Sequence, residues 1–232
     1  MRQFCQRASL QGFVGELISL DDRRAARGAR PGRGVSAGSR HVRSAEPVRF
    51  CFDLSSPWTY LAAERVERLF ADLNWHPVAG NLPIDRHAVE SRARELRMPL
   101  VWPEQHGAGR AALRVAALAA ERGCAAAFVI AAGRLAFCGG YDLDDPEILA
   151  EAAAVAGLGL EDALTAAGDR ERDAALERDA GLLAARSADH LPVLSVGGRL
   201  FCGEGRIPEA AAAYADLRST DGSRLVPTRG SQ

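Results

Sequence analysis

One junction constrains this chain more than any other stretch of it. In "VRFCF" the apolar residues Val48, Phe50 and Phe52 alternate, which is the period of a half-buried strand. The next residues, "DLSSPW", break that period. Ser56 can cap a helix, and Pro57 suits its first position, where no N–H is required. Beyond them Leu61/Ala62, Val66, Leu69/Phe70 and Leu73 recur on one helical face. "NWHPV", residues 74–78, reads as a short second strand, placed at a sheet edge because Pro77 cannot donate to a ladder. Strand, amphipathic helix and strand in this order predict a right-handed β-α-β unit with parallel strands. A serine hydroxyl then stands at the start of a helix, at the mouth of a strand. It can be only a cap. It can also be a catalytic post, because a helix start offers unpaired N–H groups and the positive end of the dipole to an anion.

The remainder of the chain gives this unit its setting. Residues 86–97 predict a helix that stops before Pro99, 109–122 carry Ala112, Val115, Ala116 and Ala119 on one stripe, and 125–132 predict another helix. Asp145 and Pro146 form a helix start signal and Gly157 a stop signal, with further helices over 161–167 and 170–185. Strands return at "LPVLSV" and "RLF", joined by a two-residue hairpin turn at Gly197-Gly198, and 204–218 closes the pattern as a helix. The order β-α-β, helices, β-β-α predicts an α/β protein with a thioredoxin-like fold and a large all-helical insertion. Residues 47–84 and 186–218 form the thioredoxin-like domain, 85–185 the insertion, and 219–232 a disordered tail. Residues 1–46, rich in Arg, Gly, Ala and Ser, cannot bury enough apolar surface to offset their ordering entropy. They are expected to be a disordered extension or upstream sequence read through from a mis-assigned start. A basic arm for nucleic acid is the alternative, but no aromatics interleave for base stacking.

Composition excludes more than it proposes. A formal net charge of -1 provides no global field for nucleic acid or a membrane surface. All 29 basic residues are Arg, which rules out Schiff-base lysines and the phosphate-loop lysine and reads as the coding bias of a GC-rich, bacterial genome. The five cysteines, Cys5, Cys51, Cys124, Cys138 and Cys202, form no C-x-x-C pair and suit neither a disulfide framework nor a zinc site. A reducing cytoplasm is the simplest setting. No run approaches the roughly 18 apolar residues that span a bilayer, and the N-terminus lacks the apolar core of a signal peptide. His41, His76, His87, His106 and His190 have no ligand spacing, and Asp142, Asp144 and Asp145 are better read as a helix cap than as a calcium site, so no metal is expected. No hydrolase elbow, phosphate loop or zinc-protease motif is present. Leu191-Pro192, at the entrance to a strand, leaves its cis or trans state open.

"FDLSSPWTYLAAERVERL" resembles the opening of the DsbA-like thioredoxin-fold superfamily, and within it the branch of 2-hydroxychromene-2-carboxylate isomerases and kappa-class glutathione transferases. Disulfide oxidoreductases of the superfamily begin this helix Cys-Pro-x-Cys; here the residues are Ser56-Pro57-Trp58-Thr59, and the isomerase and kappa branch also has Ser-Pro. "ARELRMPLVWPE", "AFCGGYDLDDPEILAEAAAVAGL" and "LPVLSVGGRLFCGEGR" are similar to later family segments in the same order, so that the resemblance covers about residues 48–217.

The resemblance implies that glutathione, or another low-molecular-weight thiol, lies across the helix start. It makes Ser56 the residue that holds the thiolate, with Pro57 and Trp58 beside it. Leu191 and Pro192 become a backbone clamp, and Glu204 and Arg206 the turn that holds the γ-glutamyl end. Asn81 is placed near the substrate. In the family's closing turn the acidic residue directly precedes the Arg; here Gly205 stands there and Glu204 one place earlier, and the loop after the second strand lacks the usual basic residue. The implied reaction is nucleophilic catalysis by a borrowed sulfur, which adds to a conjugated carbon of a small aromatic or electrophilic substrate and is eliminated from the isomer, or stays on it as a conjugate. Neither nucleic acid nor a membrane is an implied partner, and a homodimer is left open. A non-catalytic thiol-binding module is the alternative. A protein disulfide oxidoreductase is a further one, although exchange needs an attacking and a resolving sulfur and Ser56 and Thr59 supply neither.

Overall fold

The computed structural model describes residues 47–80, 83–103 and 109–223, with side chains up to residue 219. Its sheet has the order β2-β1-β3-β4. The strands are β1 (Val48–Phe52), β2 (Leu73–Pro77), β3 (Val193–Val196) and β4 (Arg199–Cys202). β1 pairs parallel with β2 (Phe50 opposite Trp75) and antiparallel with β3 (Cys51 opposite Val193). β2 is therefore an edge strand, which accommodates Pro77. β3 and β4 form an antiparallel hairpin whose Gly197 and Gly198 have φ of 55° and 80°. Two successive positive φ values define a type I′ turn, which two glycines adopt without a Cβ clash.

The first helix, α1 (Pro57–Leu69), connects β1 to β2. Its buried face carries Tyr60, Leu61, Ala62, Ala63 and Val66. Leu73, which continues the helical period in the sequence, instead opens β2, because the chain leaves the helix at Phe70 in extended conformation. Then follow α2 (Arg86–Leu96), α3 (Arg110–Glu121), α4 (Ala125–Phe137), α5 (Pro146–Val155), α6 (Leu160–Gly168) and α7 (Asp173–Ala185), with α8 (Ile207–Ser223) closing the chain. Local signals hold where they were read: the Asp145 carboxylate accepts from Glu147 N at 2.8 Å and caps α5, and Gly157 has φ 75°. α4 runs to Phe137 rather than stopping at 132. Its Gly133 is the close-approach point to α1, where an added Cβ would sit 3.5 Å from the Tyr60 side chain. Ala136 and Phe137 then continue the buried stripe, and the Phe137 ring stacks on Tyr60 at 5.9 Å. Residues 170–172 and 204–206 are single 3₁₀ turns that lead into α7 and α8 rather than first turns of those helices. α8 extends past residue 218, and the Ser219 hydroxyl donates to the Ala215 carbonyl.

β1 differs from its alternating pattern: only Arg49 is exposed, and Cys51 is as buried as the phenylalanines. The cause is α7. One face of the sheet carries the main core, where Phe50 and Phe52 meet Trp75 edge-on. On the other face Cys51, Val78 and Val193 form a second cluster under Ala180 and Leu183 of α7, together with Leu191 and Leu200. Covered on both faces, β1 is apolar from Phe50 to Phe52, and only Arg49 near its start reaches solvent. Two devices hold α7 there. Arg114 on α3 makes a two-pronged hydrogen bond to Asp173 (2.8 and 2.6 Å), which holds that carboxyl below the usual range. The Leu176 carbonyl accepts from Ala79 N at 3.2 Å. Among the described residues no helix is long and apolar enough to cross a membrane.

Candidate active site

Three chain segments meet at one end of the sheet. β1 ends into residues 53–56 and α1; the antiparallel β3 begins beside that end; and β4 leaves it into the 203–206 turn. Continuing the β1–β3 register by two residues sets Pro192 beside Phe52 and Leu191 beside Asp53. Leu191-Pro192 is cis. The Pro192 carbonyl accepts from Gly203 N at 2.8 Å, which fastens the turn before α8 to the same place.

Asp53 builds the loop that carries Ser56. Its side chain accepts from Ser55 N (2.8 Å), Ser55 Oγ (2.7 Å) and Gly80 N (2.7 Å). Its carbonyl accepts from Ser56 N (3.1 Å) and from the buried Thr59 hydroxyl (2.7 Å). One residue thus ties the β1–α1 loop to itself, to the first turn of α1 and to the segment after β2. Asp53 is 2% exposed, and burial pushes its carboxyl up, against the opposing pull of the Ser55 and Gly80 hydrogen bonds and the Arg110 charge. Gly80 has to be small: an added Cβ would lie 2.5 Å from Leu191 Cδ1 and 3.0 Å from Asp53 Oδ2. Those same contacts set Leu191 against the loop.

The two serines of the loop differ. Ser55's hydroxyl is committed to Asp53. Ser56 is the N-cap of α1, half-buried, and its hydroxyl makes no capping bond and no other hydrogen bond among the described residues. Pro57 occupies the first helical position and is buried, while Trp58 is half-buried and packs on the core. Leu191 is half-buried, and neither its N–H nor its C=O enters a backbone hydrogen bond among the described residues. Ser56, Pro57, Leu191 and Pro192 therefore lie at one end of the sheet, on the two segments that Asp53 and Gly80 hold together.

The closing turn is arranged differently. Glu204 is 3% exposed, and its carboxylate is held by Arg65 of α1 and by Arg92 of α2, the latter through 2.7 and 3.1 Å hydrogen bonds. It joins the turn to both helices and leaves no acceptor for a ligand. Arg206 is exposed and forms a two-pronged pair with Glu209 on the next turn. Asn81 and His106 lie outside the described residues, as do Cys5 and His41.

Residues 56–59, which open α1, contain no sulfur. Burial raises the Cys51 thiol to about 11, and burial also raises Cys202. Both lie opposite Val193, one on each neighbouring strand, so their Cα atoms are about 10 Å apart, beyond the roughly 7 Å limit of a disulfide. Among the described residues no group of three or more His, Cys, Asp or Glu is placed to hold a metal. One residue of the site escaped sequence reasoning. Asp53 carried a signal, since an Asp two residues before a Ser is an Asx-turn former.

A mixed four-stranded sheet with a helix opening at Ser56 beside a cis-proline loop defines a thioredoxin-like protein. The family model of the DSBA-like thioredoxin domain matches residues 47–215, and the chain belongs to that family. Among solved structures it is similar to 2-hydroxychromene-2-carboxylate isomerase, with 19% identity and a TM-score of 0.65 over 77% of this chain and 99% of that one. It is also similar to the cytosolic disulfide reductase DsbM from Pseudomonas aeruginosa, solved with GSH, with 18% identity and a TM-score of 0.56 over 75% and 98%. At these identities the likeness establishes the fold. No curated protein sequence matches the chain.

Proposed function

We propose that this protein is a small-thiol-dependent isomerase or transferase of the 2-hydroxychromene-2-carboxylate isomerase type, acting in the cytoplasm on a small aromatic or electrophilic substrate. The observation that carries the reading is that, among the described residues, the Ser56 hydroxyl at the start of α1 makes no hydrogen bond, and neither does the backbone of Leu191, which lies opposite Asp53 of the same loop. The absence of sulfur at Ser56 and Thr59 counts against disulfide exchange.

The magnitudes are adequate. Lowering a thiol pKa by two units from roughly 8.5 requires about 2.7 kcal/mol. The helix dipole near the surface contributes about 0.3–1 kcal/mol, and a hydrogen bond to a charged group about 1.5–3 kcal/mol. The dipole alone falls short, whereas the dipole and the hydroxyl's hydrogen bond together span the requirement. Bound there, the thiol would supply a nucleophilic sulfur able to add to a conjugated carbon and leave again. Ser56 donates to that sulfur, Pro57 fixes the backbone of the first turn of α1 behind it, and Leu191 offers an N–H and a C=O to a peptide-like backbone.

Glutathione fits the Ser56 end better than the closing turn. The Glu204 carboxylate is buried between two arginines and does not stand free to hold a γ-glutamyl group, while Arg206 is turned to Glu209 in an exposed pair. This favours a thiol shorter than glutathione, and it also supports a second reading, in which the protein binds a thiol without catalysis. Titrating glutathione and cysteine against the protein near neutral pH, with thiolate absorbance as the signal, tests the proposal. Wild type is expected to generate thiolate and Ser56→Ala to lose about tenfold or more of it. No signal from wild type with either thiol would overturn the reading.

A further inference from the structure

Among the described residues, Arg110 holds the one buried side-chain nitrogen, Nη1, that has no hydrogen bond. Glu177 Oε1 of α7 lies 3.1 Å away, an ion-pair neighbour that is not aligned to accept. The Arg110 side chain as a whole is 35% exposed, but Nη1 itself is buried, and a buried charged donor without an aligned acceptor calls for a partner. The position of this one is specific. Arg110 is the first residue of α3, and the Gly109 before it packs against the Ser56 loop: an added Cβ there would sit 3.6–3.8 Å from the N, Cβ and Cα atoms of Ser55. The Arg110 charge acts on Asp53, which lies beneath the same loop. Its other neighbour, α7, reaches this end of the sheet through the bond from Ala79 N to the Leu176 carbonyl. Arg110 thus directly follows the residue that packs against the Ser55 backbone, and its guanidinium meets α7 at Glu177.

We propose that Arg110 is a specificity-determining residue of the Ser56 site, and that its Nη1 takes a carboxylate oxygen of the bound molecule in place of Glu177. The inference rests on the reading of Ser56 as a thiol-binding group and adds a ligand class to it. Glu177 is an exchangeable placeholder because its side chain is largely exposed and only loosely engaged. A guanidinium suits this task, since its planar fork matches a carboxylate in direction as well as charge. The carboxylate can belong to the thiol or to the electrophile.

Two matched pairs separate those sources: 3-mercaptopropionate against its methyl ester, and a conjugated enone bearing a carboxylate against its methyl ester. Dissociation constants would be measured for wild type, Arg110→Gln and Glu177→Gln. In wild type the carboxylate member of one pair is expected to bind about tenfold more tightly or better. Arg110→Gln should bring that ratio close to one, and Glu177→Gln should raise it by removing the internal competitor. The pair that shows the preference identifies the source. A ratio near one in wild type for both pairs, or a preference that survives Arg110→Gln, overturns the proposal. Should Arg110→Gln not fold, an unchanged or smaller ratio in Glu177→Gln overturns it equally. The thiolate signal of the esterified thiol reports on Ser56 separately. If wild type gives none, the thiol reading fails, while the enone pair, measured without thiol, still decides the role of Arg110.

Discussion

Two carboxylates are buried to the same degree at this end of the molecule, and they are stabilised in opposite ways. Asp53, in the loop entering α1, is surrounded by neutral donors: two backbone N–H groups and a hydroxyl. Glu204, in the turn entering α8, lies between two guanidiniums from different helices. The neutral donors around Asp53 are directional, so that residue sets atomic positions, including that of Ser56 one residue past its Ser55 partner. The pairing at Glu204 is electrostatic and long-range in sequence, so it fastens α1 and α2 to the closing turn without shaping a ligand surface. Burial alone does not distinguish a residue that organises a site from one that braces it; the chemistry of its partners does.

The largest expected effect falls on the braced turn. Glu204→Leu leaves Arg65 and Arg92 facing each other without a counter-charge and is expected to cost about 3 kcal/mol in urea unfolding. Burial and the Arg92 and Arg68 charges already depress Arg65 in the native protein. A loss below about 1 kcal/mol would mean that the arginines simply turn to water, and the contrast with Asp53 would dissolve. Asp53→Ala comes next. It strands the Gly80 and Ser55 donors, at about 2 kcal/mol, and it should also abolish thiolate formation, which Glu204→Leu should reduce only in proportion to folding.

The pH dependence sharpens the same contrast. Asp53 holds its proton more tightly folded than unfolded, so the native state carries more protons in the window above the ordinary value of 3.8. Its contribution to stability is complete below that pH and is lost as pH rises through the raised native value. Relative to Asp53→Asn, which does not titrate, wild type should therefore lose stability as pH rises above 3.8; a flat difference between the two unfolding profiles would contradict the assigned direction. The smallest stability effect belongs to Ser56→Ala. A serine that capped α1 would cost about 1 kcal/mol on removal. With no capping bond present, less than about 0.5 kcal/mol is expected by thermal unfolding, while the thiolate signal falls. A full capping-sized loss would point to the hydroxyl serving the helix rather than a ligand.

Much of the scaffold was legible because its signals are local. The Gly-Gly hairpin, the Asp145 cap, the proline at the start of α1 and the edge position of the Pro77 strand each depend on residues within a few places of one another. Ser56 was legible as a candidate for the same reason: an N-cap serine beside a proline is visible in four residues. The partners of Glu204 were not, since Arg65 and Arg92 stand 139 and 112 positions away. The placement of Arg110 beside the Ser56 loop was equally hidden, and so was the burial of Cys51, which follows from α7 lying over a face that the alternation of β1 left open.

The sequence by itself determined the order of strands and helices, their caps and turns, and the residue that opens α1, because hydrogen-bond geometry and side-chain periodicity act over single turns. The tertiary structure decided which polar groups at the end of the sheet are spoken for and which stay free. That choice depends on which distant donors and charges the packed core brings within about 3 Å, and hydrogen bonding beyond that distance falls away too steeply for sequence spacing to reveal it.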